Sequence, residues 1–174
     1  MSLFADAPAP SIVASDGVRP EPQLFTFRHD SSGKFVAAVA ALKTGTTVFE
    51  EVGEVRSLPD KYTLQLDDGQ HMLCAGPLIF CNHSCEPNCK AQVEYGLVRM
   101  VAIKQINAGD PITFDYNTTE WDMASPFDCI CGASNCKKRV AGFKNLTPAQ
   151  KADIDRALMS PFILEKATQP AKQA

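Results

Sequence analysis

Three cysteines near the C-terminal end of the chain have the spacing of metal ligands. Cys129, Cys131 and Cys136 lie within eight residues in the pattern Cys-x-Cys-x4-Cys. A structural zinc ion is usually bound by four nitrogen or sulfur donors at short spacings, and thiolates favour zinc over magnesium or calcium. Because the trio is one donor short, the sequence predicts that a fourth ligand comes from elsewhere in the chain.

The candidates for the fourth ligand lie in the middle of the chain, around the segment Asn-His-Ser-Cys-Glu-Pro-Asn at residues 82–88. Cys85 and Cys89 are the best candidates, and His83 is a third, since histidine is a common metal ligand. For Cys74 and Cys81, which have apolar neighbours, we expect reduced, buried thiols without a metal.

A thiol-redox protein that uses Cys81, Cys85 and Cys89 is a weaker alternative, because the usual redox spacing is Cys-x-x-Cys. A disulfide framework is also disfavoured, because seven cysteines would leave one unpaired. The N-terminal residues lack the basic and apolar stretches of a signal peptide, so we expect a reducing, intracellular location, nuclear or cytoplasmic.

The bulk properties of the chain indicate one globular domain. It has 174 residues, of which 45% are hydrophobic and 21% charged, and no apolar run long enough to span a membrane. The net charge of −3 argues against direct binding of nucleic acid, which needs a basic face, and is compatible with a basic peptide. The Ala-, Pro- and Ser-rich residues 1–22 are predicted to be a flexible arm.

The body of the chain has a mostly β pattern, and the end carries one helix. Strands are predicted over residues 34–42, 46–52, 62–66, 70–74, 91–94, 97–103 and 111–116, with hairpin turns at 67–69 and 95–96. A helix is predicted to begin after Thr147, a good N-cap followed by Pro148, and to end at Ser160 and Pro161. The residues from about Lys166 onward are predicted to be a loose tail.

Three segments together resemble one enzyme family. Residues 80–88, Phe-Cys-Asn-His-Ser-Cys-Glu-Pro-Asn, resemble a signature of the SET-domain protein lysine methyltransferases. Residues 109–116, Gly-Asp-Pro-Ile-Thr-Phe-Asp-Tyr, resemble the second signature, and the cysteine trio is similar to the post-SET zinc segment. The resemblance covers roughly residues 27–146 with order and spacing kept.

The resemblance implies the fold of that family. It predicts small curved sheets around a pseudoknot, in which the strand of the second signature threads beneath a loop near residues 82–83. The implied organisation is an arm over 1–22, a SET domain over 23–118, a zinc-bound post-SET segment over 119–146, and a C-terminal helix and tail over 147–174.

The resemblance also implies roles for individual residues. Tyr116 is expected to be the catalytic tyrosine, with Phe114 and Tyr62 in the channel of the substrate lysine, and the phenylalanine favours di- or trimethylation. The residues expected to contact S-adenosylmethionine are Gly33, Lys34, Phe35, Asn82, His83, Tyr116, Trp121 and Phe143. The expected Zn²⁺ ligands are Cys85, Cys129, Cys131 and Cys136.

The resemblance therefore implies an S-adenosylmethionine-dependent protein-lysine N-methyltransferase whose partner is a protein or peptide lysine, with histones among the candidates. One departure supports an alternative. The family usually has Gly-x-Gly where this chain has Gly33-Lys34-Phe35, and the second glycine lets the backbone approach the cofactor. The alternative is a catalytically weak, zinc-stabilised SET-like module that binds peptide.

Overall fold

The computed structural model describes residues 23–31, 33–94 and 96–169. The flexible arm predicted for residues 1–22 and the end of the predicted tail, residues 170–174, lie outside the described residues. Among the residues that are described, no helix is long and apolar enough to cross a membrane.

The described part of the chain is mostly β, as predicted. Its strands are β1 (Phe25–Asp30), β2 (Gly33–Ala38), β3 (Thr47–Val52), β4 (Val55–Arg56), β5 (Thr63–Asp67), β6 (Gln70–Leu73), β7 (Asn82–His83), β8 (Cys89–Glu94), β9 (Leu97–Ala102), β10 (Thr113–Phe114), β11 (Phe127–Asp128) and β12 (Arg139–Val140). They form small sheets with the orders β1-β2, β3-β9-β8, β4-β6-β5, β7-β10 and β11-β12.

The largest core lies between these small sheets. In the sheet β3-β9-β8, the inward-facing residues of β9 alternate with less buried ones, and Val98 and Met100 are fully buried. The antiparallel pairing of β8 with β9 confirms the hairpin predicted from residues 91–94 and 97–103. The hairpin predicted around residues 67–69 is also present, between β5 and β6, and Gly69 adopts a φ of +64° in its turn.

Two distant segments meet in the parallel pair β7-β10. Thr113 lies opposite Asn82, and Phe114 lies opposite His83. The backbone N–H of Ser84 extends this contact by donating to the carbonyl of Phe114 at 3.1 Å. The two signature segments of the sequence are therefore in direct contact, as the resemblance predicted.

The strand predicted to run through residue 116 ends earlier, at Phe114. Asp115 caps a 3₁₀ turn, Tyr116–Thr118, by accepting the backbone N–H of Asn117 at 3.0 Å. A short polar side chain that bonds the backbone two residues onward competes with a continued strand. The turn changes the direction of the chain directly at Tyr116.

The helix predicted over residues 147–160 is wrong in its extent. The capping box of Thr147 and Gln150 begins α1 as predicted, but α1 is only Pro148–Ala152. A second helix, α2 (Pro161–Thr168), begins where the first was predicted to end, because Ser160 serves as its N-cap and Pro161 as its first residue. The loose tail predicted from Lys166 is wrong as far as Thr168, since those residues belong to α2.

A buried carboxylate fixes the segment that leads into β7. Glu51 on β3 accepts the backbone N–H groups of Ala75, Gly76 and Leu78, each at 2.9 Å. Three hydrogen bonds from backbone N–H groups compensate for burying the charge of this carboxylate. Glu51 therefore holds the start of the 3₁₀ turn Pro77–Phe80, which positions Asn82 and His83.

Candidate active site and metal centre

The cysteine trio and the middle segment come together in one cluster. The sulfur atoms of Cys85, Cys129, Cys131 and Cys136 all lie within 4.8 Å of one another. In a tetrahedral zinc site with zinc–sulfur bonds of about 2.3 Å, sulfurs lie about 3.8 Å apart. The donor set and its dimensions fit a structural zinc ion, with Cys85 rather than Cys89 or His83 in the fourth position.

The sulfur of Cys85 is surrounded by hydrogen-bond donors. The backbone N–H of Lys137 donates to it at 3.3 Å, and Nε2 of His83 lies 3.2 Å from it. Burial raises the pKa of the Cys85 thiol to about 11, so a metal ion that binds here has to displace its proton. The two N–H groups then stabilise the resulting thiolate.

His83 joins the cysteine cluster to the aromatic segment. Its Nδ1 accepts the backbone N–H of Tyr116 at 3.2 Å, which leaves the ring proton on Nε2, facing Cys85. Burial lowers the pKa of His83 to about 4, so the ring is neutral near pH 7. A neutral His83 with this tautomer holds the backbone at residue 116 in a fixed position relative to the thiols.

Tyr116 lies at the inner end of a cavity. Its hydroxyl donates to the carbonyl of Cys81 at 2.7 Å, and its ring contacts those of His83, Phe114 and Phe127 at centroid distances of 5.4, 4.8 and 6.0 Å. Burial raises the pKa of the phenol well above its usual value. Tyr116 is therefore a fixed hydroxyl and not a phenolate at neutral pH.

The cavity has a volume of about 240 Å³, and four aromatic rings contribute to its wall. Its lining includes Tyr62, Leu78, Phe114, Tyr116, Glu120 and Phe127. The residues predicted for a lysine channel, Tyr62 and Phe114, thus share one pocket with Tyr116. Phe114 is buried, whereas Tyr62 is 47% exposed and lies at the rim.

Of the residues predicted to bind a cofactor, Lys34 contacts Phe80, which lies two residues before Asn82. The ammonium group of Lys34 lies 4.0 Å from the centre of the Phe80 ring, which brings the beginning of β2 next to β7. Gly33 has a φ of +115°, and a Cβ built there would meet no atom within 4 Å, so the space beside it is open. Phe35 is half-buried and Asn82 is exposed.

Trp121 and Phe143 are stacked on each other. Their ring centroids lie 5.9 Å apart, and Phe143 is buried in a second apolar cluster with α2 residues such as Phe162 and Ile163. The backbone is tightly packed here, since a Cβ on Gly142 would lie 2.6 Å from the carbonyl oxygen of Trp121. The predicted contact of either ring with a cofactor stays a prediction.

A buried ion pair connects the cysteine cluster to Tyr116. Nζ of Lys137, the residue after Cys136, lies 3.0 Å from a carboxylate oxygen of Asp115, the residue before Tyr116. Both side chains are buried, with exposed fractions of 6% and 5%. The pair therefore fixes the cysteine-rich segment to the turn Tyr116–Thr118 through a buried contact.

Lys137→Ala is expected to lower the free energy of unfolding by about 3–5 kcal/mol, because it leaves the carboxylate of Asp115 buried without its cation. The matched control is Lys138→Ala, which removes the same charge from an exposed neighbour. Denaturant unfolding of both variants measures the difference. Equal free energies of unfolding for the two variants would contradict the role given to the pair.

Several residues of the site were missed by sequence reasoning. Glu51, Glu120, Phe127 and Lys137 make contacts with residues far away in the chain, and the local pattern around each is that of an ordinary surface or loop residue.

Comparisons with known proteins agree with this geometry. The sequence profile of the family described as "SET domain" matches residues 21–117. The chain is 34% identical over 128 residues to the methyltransferase flvH of Aspergillus flavus, an alignment that covers 72% of this chain and 70% of that protein. It is 31% identical over 144 residues to the histone-lysine N-methyltransferase ash1 of Drosophila melanogaster, covering 70% of this chain and 6% of that protein.

Among solved structures, the chain resembles KRYPTONITE in a crystal structure with mCHH DNA, an H3(1–15) peptide and SAH. The TM-score is 0.52 and the sequence identity is 27%, with 66% of this chain and 29% of that chain covered. This chain therefore spans only a small part of ash1 and KRYPTONITE, and most of flvH.

Proposed function

The chain belongs to the SET-domain family, and from this premise we propose that it is an S-adenosylmethionine-dependent protein-lysine N-methyltransferase. The observation that carries the proposal is the parallel contact of Asn82-His83 with Thr113-Phe114. It brings the backbone of the cofactor signature against the strand that leads into Tyr116. A hydroxyl at the end of an aromatic pocket, next to a cofactor signature, is the arrangement that methyl transfer to an amine requires.

S-adenosylmethionine is proposed to bind around the open space beside Gly33, with Lys34, Phe35, Asn82 and His83 as its contacts. The absence of any atom within 4 Å of a Cβ at Gly33 and the exposure of Asn82 support this choice. When bound, S-adenosylmethionine supplies a methyl group activated by a sulfonium charge. Trp121 and Phe143 are further candidates for contact with the adenine.

The substrate lysine is proposed to enter the cavity lined by Tyr62, Phe114 and Tyr116. The aromatic and aliphatic part of the wall favours the neutral amine that transfer requires, so a lysine that enters as an ammonium ion has to lose its proton inside the pocket. Tyr116 aligns the amine through its hydroxyl, and alignment alone contributes several kcal/mol to such a reaction. Phenylalanine at position 114 leaves room for an alkylated amine, and therefore favours di- or trimethylation.

The metal proposed for the cysteine cluster is zinc in a structural role. Cys85, Cys129, Cys131 and Cys136 hold it, and their four thiolates leave no open position for a substrate. The ion joins the segment that carries Phe127 to the segment that carries His83. It thereby supports one wall of the lysine pocket from outside.

The proposed partner is a protein or peptide with an accessible lysine, and histones are included because of the names of the relatives. The same names support a nuclear or cytoplasmic location. The mild net charge of −3 favours a basic peptide over nucleic acid as the direct partner, which stays a prediction.

The test is a transfer assay with labelled S-adenosylmethionine on a panel of basic proteins that includes histones. Label in a lysine side chain, identified by mass spectrometry with the number of methyl groups, would support the proposal. Titration with S-adenosylmethionine distinguishes the enzyme from the alternative. A protein that binds zinc and peptide but not S-adenosylmethionine would be the peptide-binding module. Phe35, which stands where the family usually has glycine, is the observation that favours this alternative.

A further inference from the structure

Two acidic residues line the pocket, Asp60 and Glu120, and Glu120 has no part in the roles assigned so far. Glu120 lines the cavity of about 240 Å³ together with Tyr62, Phe114, Tyr116 and Phe127. Burying an ionised carboxylate costs free energy unless hydrogen bonds or a cation compensate for the lost hydration. A carboxylate among aromatic rings is also the combination that binds organic cations, because ring faces and carboxylates both attract positive charge.

The backbone holds Glu120 in place from two sides. Its N–H donates to the carbonyl of Tyr116 at 2.9 Å, and its own carbonyl accepts the N–H of Phe143 at 2.8 Å. One carboxylate oxygen accepts the backbone N–H of Gln65 at 2.9 Å, and the carboxylate also accepts a hydrogen bond from the side chain of Thr119. A carboxylate has about four lone-pair sites, so these contacts fix its orientation and leave acceptor capacity for a ligand in the pocket.

No cation of the described chain pairs with Glu120. Lys61 also lines the cavity, but its ammonium group lies over the ring of Tyr62, 4.7 Å from the ring centre. Lys144, on the turn that packs behind residue 120, pairs instead with Asp122 at 2.9 Å. A cation that enters the pocket therefore meets a carboxylate that no described side chain neutralises.

The other titratable side chains that line the pocket are Asp60, Lys61, Tyr62, Cys74 and Tyr116. Burial raises the pKa of the Cys74 thiol to about 12 and also raises the pKa of the Tyr116 phenol well above its usual value. Both groups therefore keep their protons at neutral pH. His71, opposite Gln65 on β6, does not line the pocket, and burial lowers its pKa. The segment 123–127 contributes no charged residue to the wall.

We propose that Glu120 makes this pocket selective for a cationic amine: its carboxylate binds the ammonium form of the substrate and accepts the proton that the nitrogen must lose before methylation. This inference rests on the proposed function and adds the group that receives the proton. The N–H bond breaks and an O–H bond forms, so ammonium and carboxylate become amine and carboxylic acid. The acid then returns its proton to water at the pocket mouth.

The chemistry of the site supports this assignment over Tyr116. A proton acceptor works best when its pKa lies near the working pH. Burial raises the pKa of Glu120 to about 7. Tyr116 instead keeps its proton at neutral pH, and its hydroxyl donates a hydrogen bond to the carbonyl of Cys81. A carboxyl group with this pKa is ionised and able to accept a proton above pH 7, and loses that capacity below it.

The test compares Glu120→Gln with the wild-type chain. The amide oxygen of glutamine can still accept the N–H of Gln65, so the fold should be kept, and thermal unfolding checks this. Glu94→Gln, an exposed position on β8, is the charge-matched control. Glu120→Asp keeps the charge and serves as a second variant if the glutamine variant unfolds.

The probes are Nα-acetyl-lysine methyl ester and its norleucine counterpart, which lacks the amine. Binding is followed by the fluorescence of Trp121, the single tryptophan and the residue next to Glu120. Methyl transfer to the lysine probe is followed between about pH 6 and pH 9. The wild-type kcat/KM should fall about tenfold per pH unit below pH 7 and level off above it. Glu120→Gln should lose about 100-fold in kcat/KM near pH 8 and keep rising up to pH 9, because only lysine that is already neutral in solution can then react.

Each outcome decides the question. Loss of both the levelling-off above pH 7 and the preference for lysine over norleucine in Glu120→Gln, but not in Glu94→Gln, would support the inference. A glutamine variant that keeps both would overturn it, while transfer by the wild type still upholds the proposed function. If the wild type transfers no methyl group, the proposed function fails. The preference for the lysine probe over the norleucine probe, compared between wild type and Glu120→Gln, then decides whether Glu120 binds a cationic amine.

Discussion

Tyr116→Phe is expected to reduce the rate of methyl transfer at least about 100-fold, the usual effect of removing one hydrogen-bonding group that acts on the reacting atoms. The phenyl ring keeps its packing against His83, Phe114 and Phe127. The hydroxyl that donates to the carbonyl of Cys81 at 2.7 Å is lost. One neutral hydrogen bond contributes about 1 kcal/mol, so the free energy of unfolding should change little.

The measurement is single-turnover transfer from labelled S-adenosylmethionine, together with denaturant unfolding of both proteins. Tyr62→Phe is the matched control, because it removes the same hydroxyl from the exposed rim of the same pocket. We expect a smaller effect there, mainly on KM. A Tyr116→Phe variant as active as Tyr62→Phe would show that the inner hydroxyl does not align the amine.

The local patterns of the sequence predicted two of the hairpins, β5-β6 and β8-β9, but missed the pair β1-β2. The alternating residues on either side of Asp67-Asp68-Gly69 form two strands that pair with each other, because the tight turn between them fixes the register. The contact between Asn82-His83 and Thr113-Phe114 could be predicted only from the family resemblance. A parallel pair between segments that far apart leaves no periodic signal in either segment.

The departures from the predictions have local physical causes. The strand before Tyr116 stops at Phe114 because the side chain of Asp115 caps a turn. The predicted helix is divided because a 3₁₀ turn capped by Asp155 follows Ala152, and Ser160 with Pro161 then starts a new helix. Serine and proline occur both after helices and at their starts, so the pattern alone was ambiguous.

The contacts of the buried charged groups could not be predicted from the sequence. The partners of Glu120 and Lys137 are 55 and 22 residues away. Nothing in the residue types near position 120 or 137 distinguishes a buried carboxylate or ammonium group from a solvated one. Tertiary contacts decide whether a charged group is buried, so the environments of Glu120 and Lys137 follow only from the folded structure.

Cys131→Ser is expected to have the second large effect, through the metal. Loss of one of four thiolates should reduce the zinc content from about one ion per chain to a small fraction, since structural zinc sites need all four donors. The segment with Phe127 would then lose its connection to Cys85 and His83. Because the ring of Phe127 packs 6.0 Å from that of Tyr116, the affinity for cofactor and substrate should fall with it.

Metal analysis, thiol counting before and after chelation, and limited proteolysis measure this prediction. Proteolysis should report on the loop at Ile130, which is 90% exposed, and cleavage should become faster in Cys131→Ser and in the chelated wild type. Cys74→Ser is the matched control, since that buried thiol lies outside the cluster and should leave the zinc content unchanged. If Cys131→Ser kept its zinc and its cofactor affinity, the four sulfurs would not be a metal site, and contacts such as the Lys137–Asp115 pair would be enough to hold the segment in place.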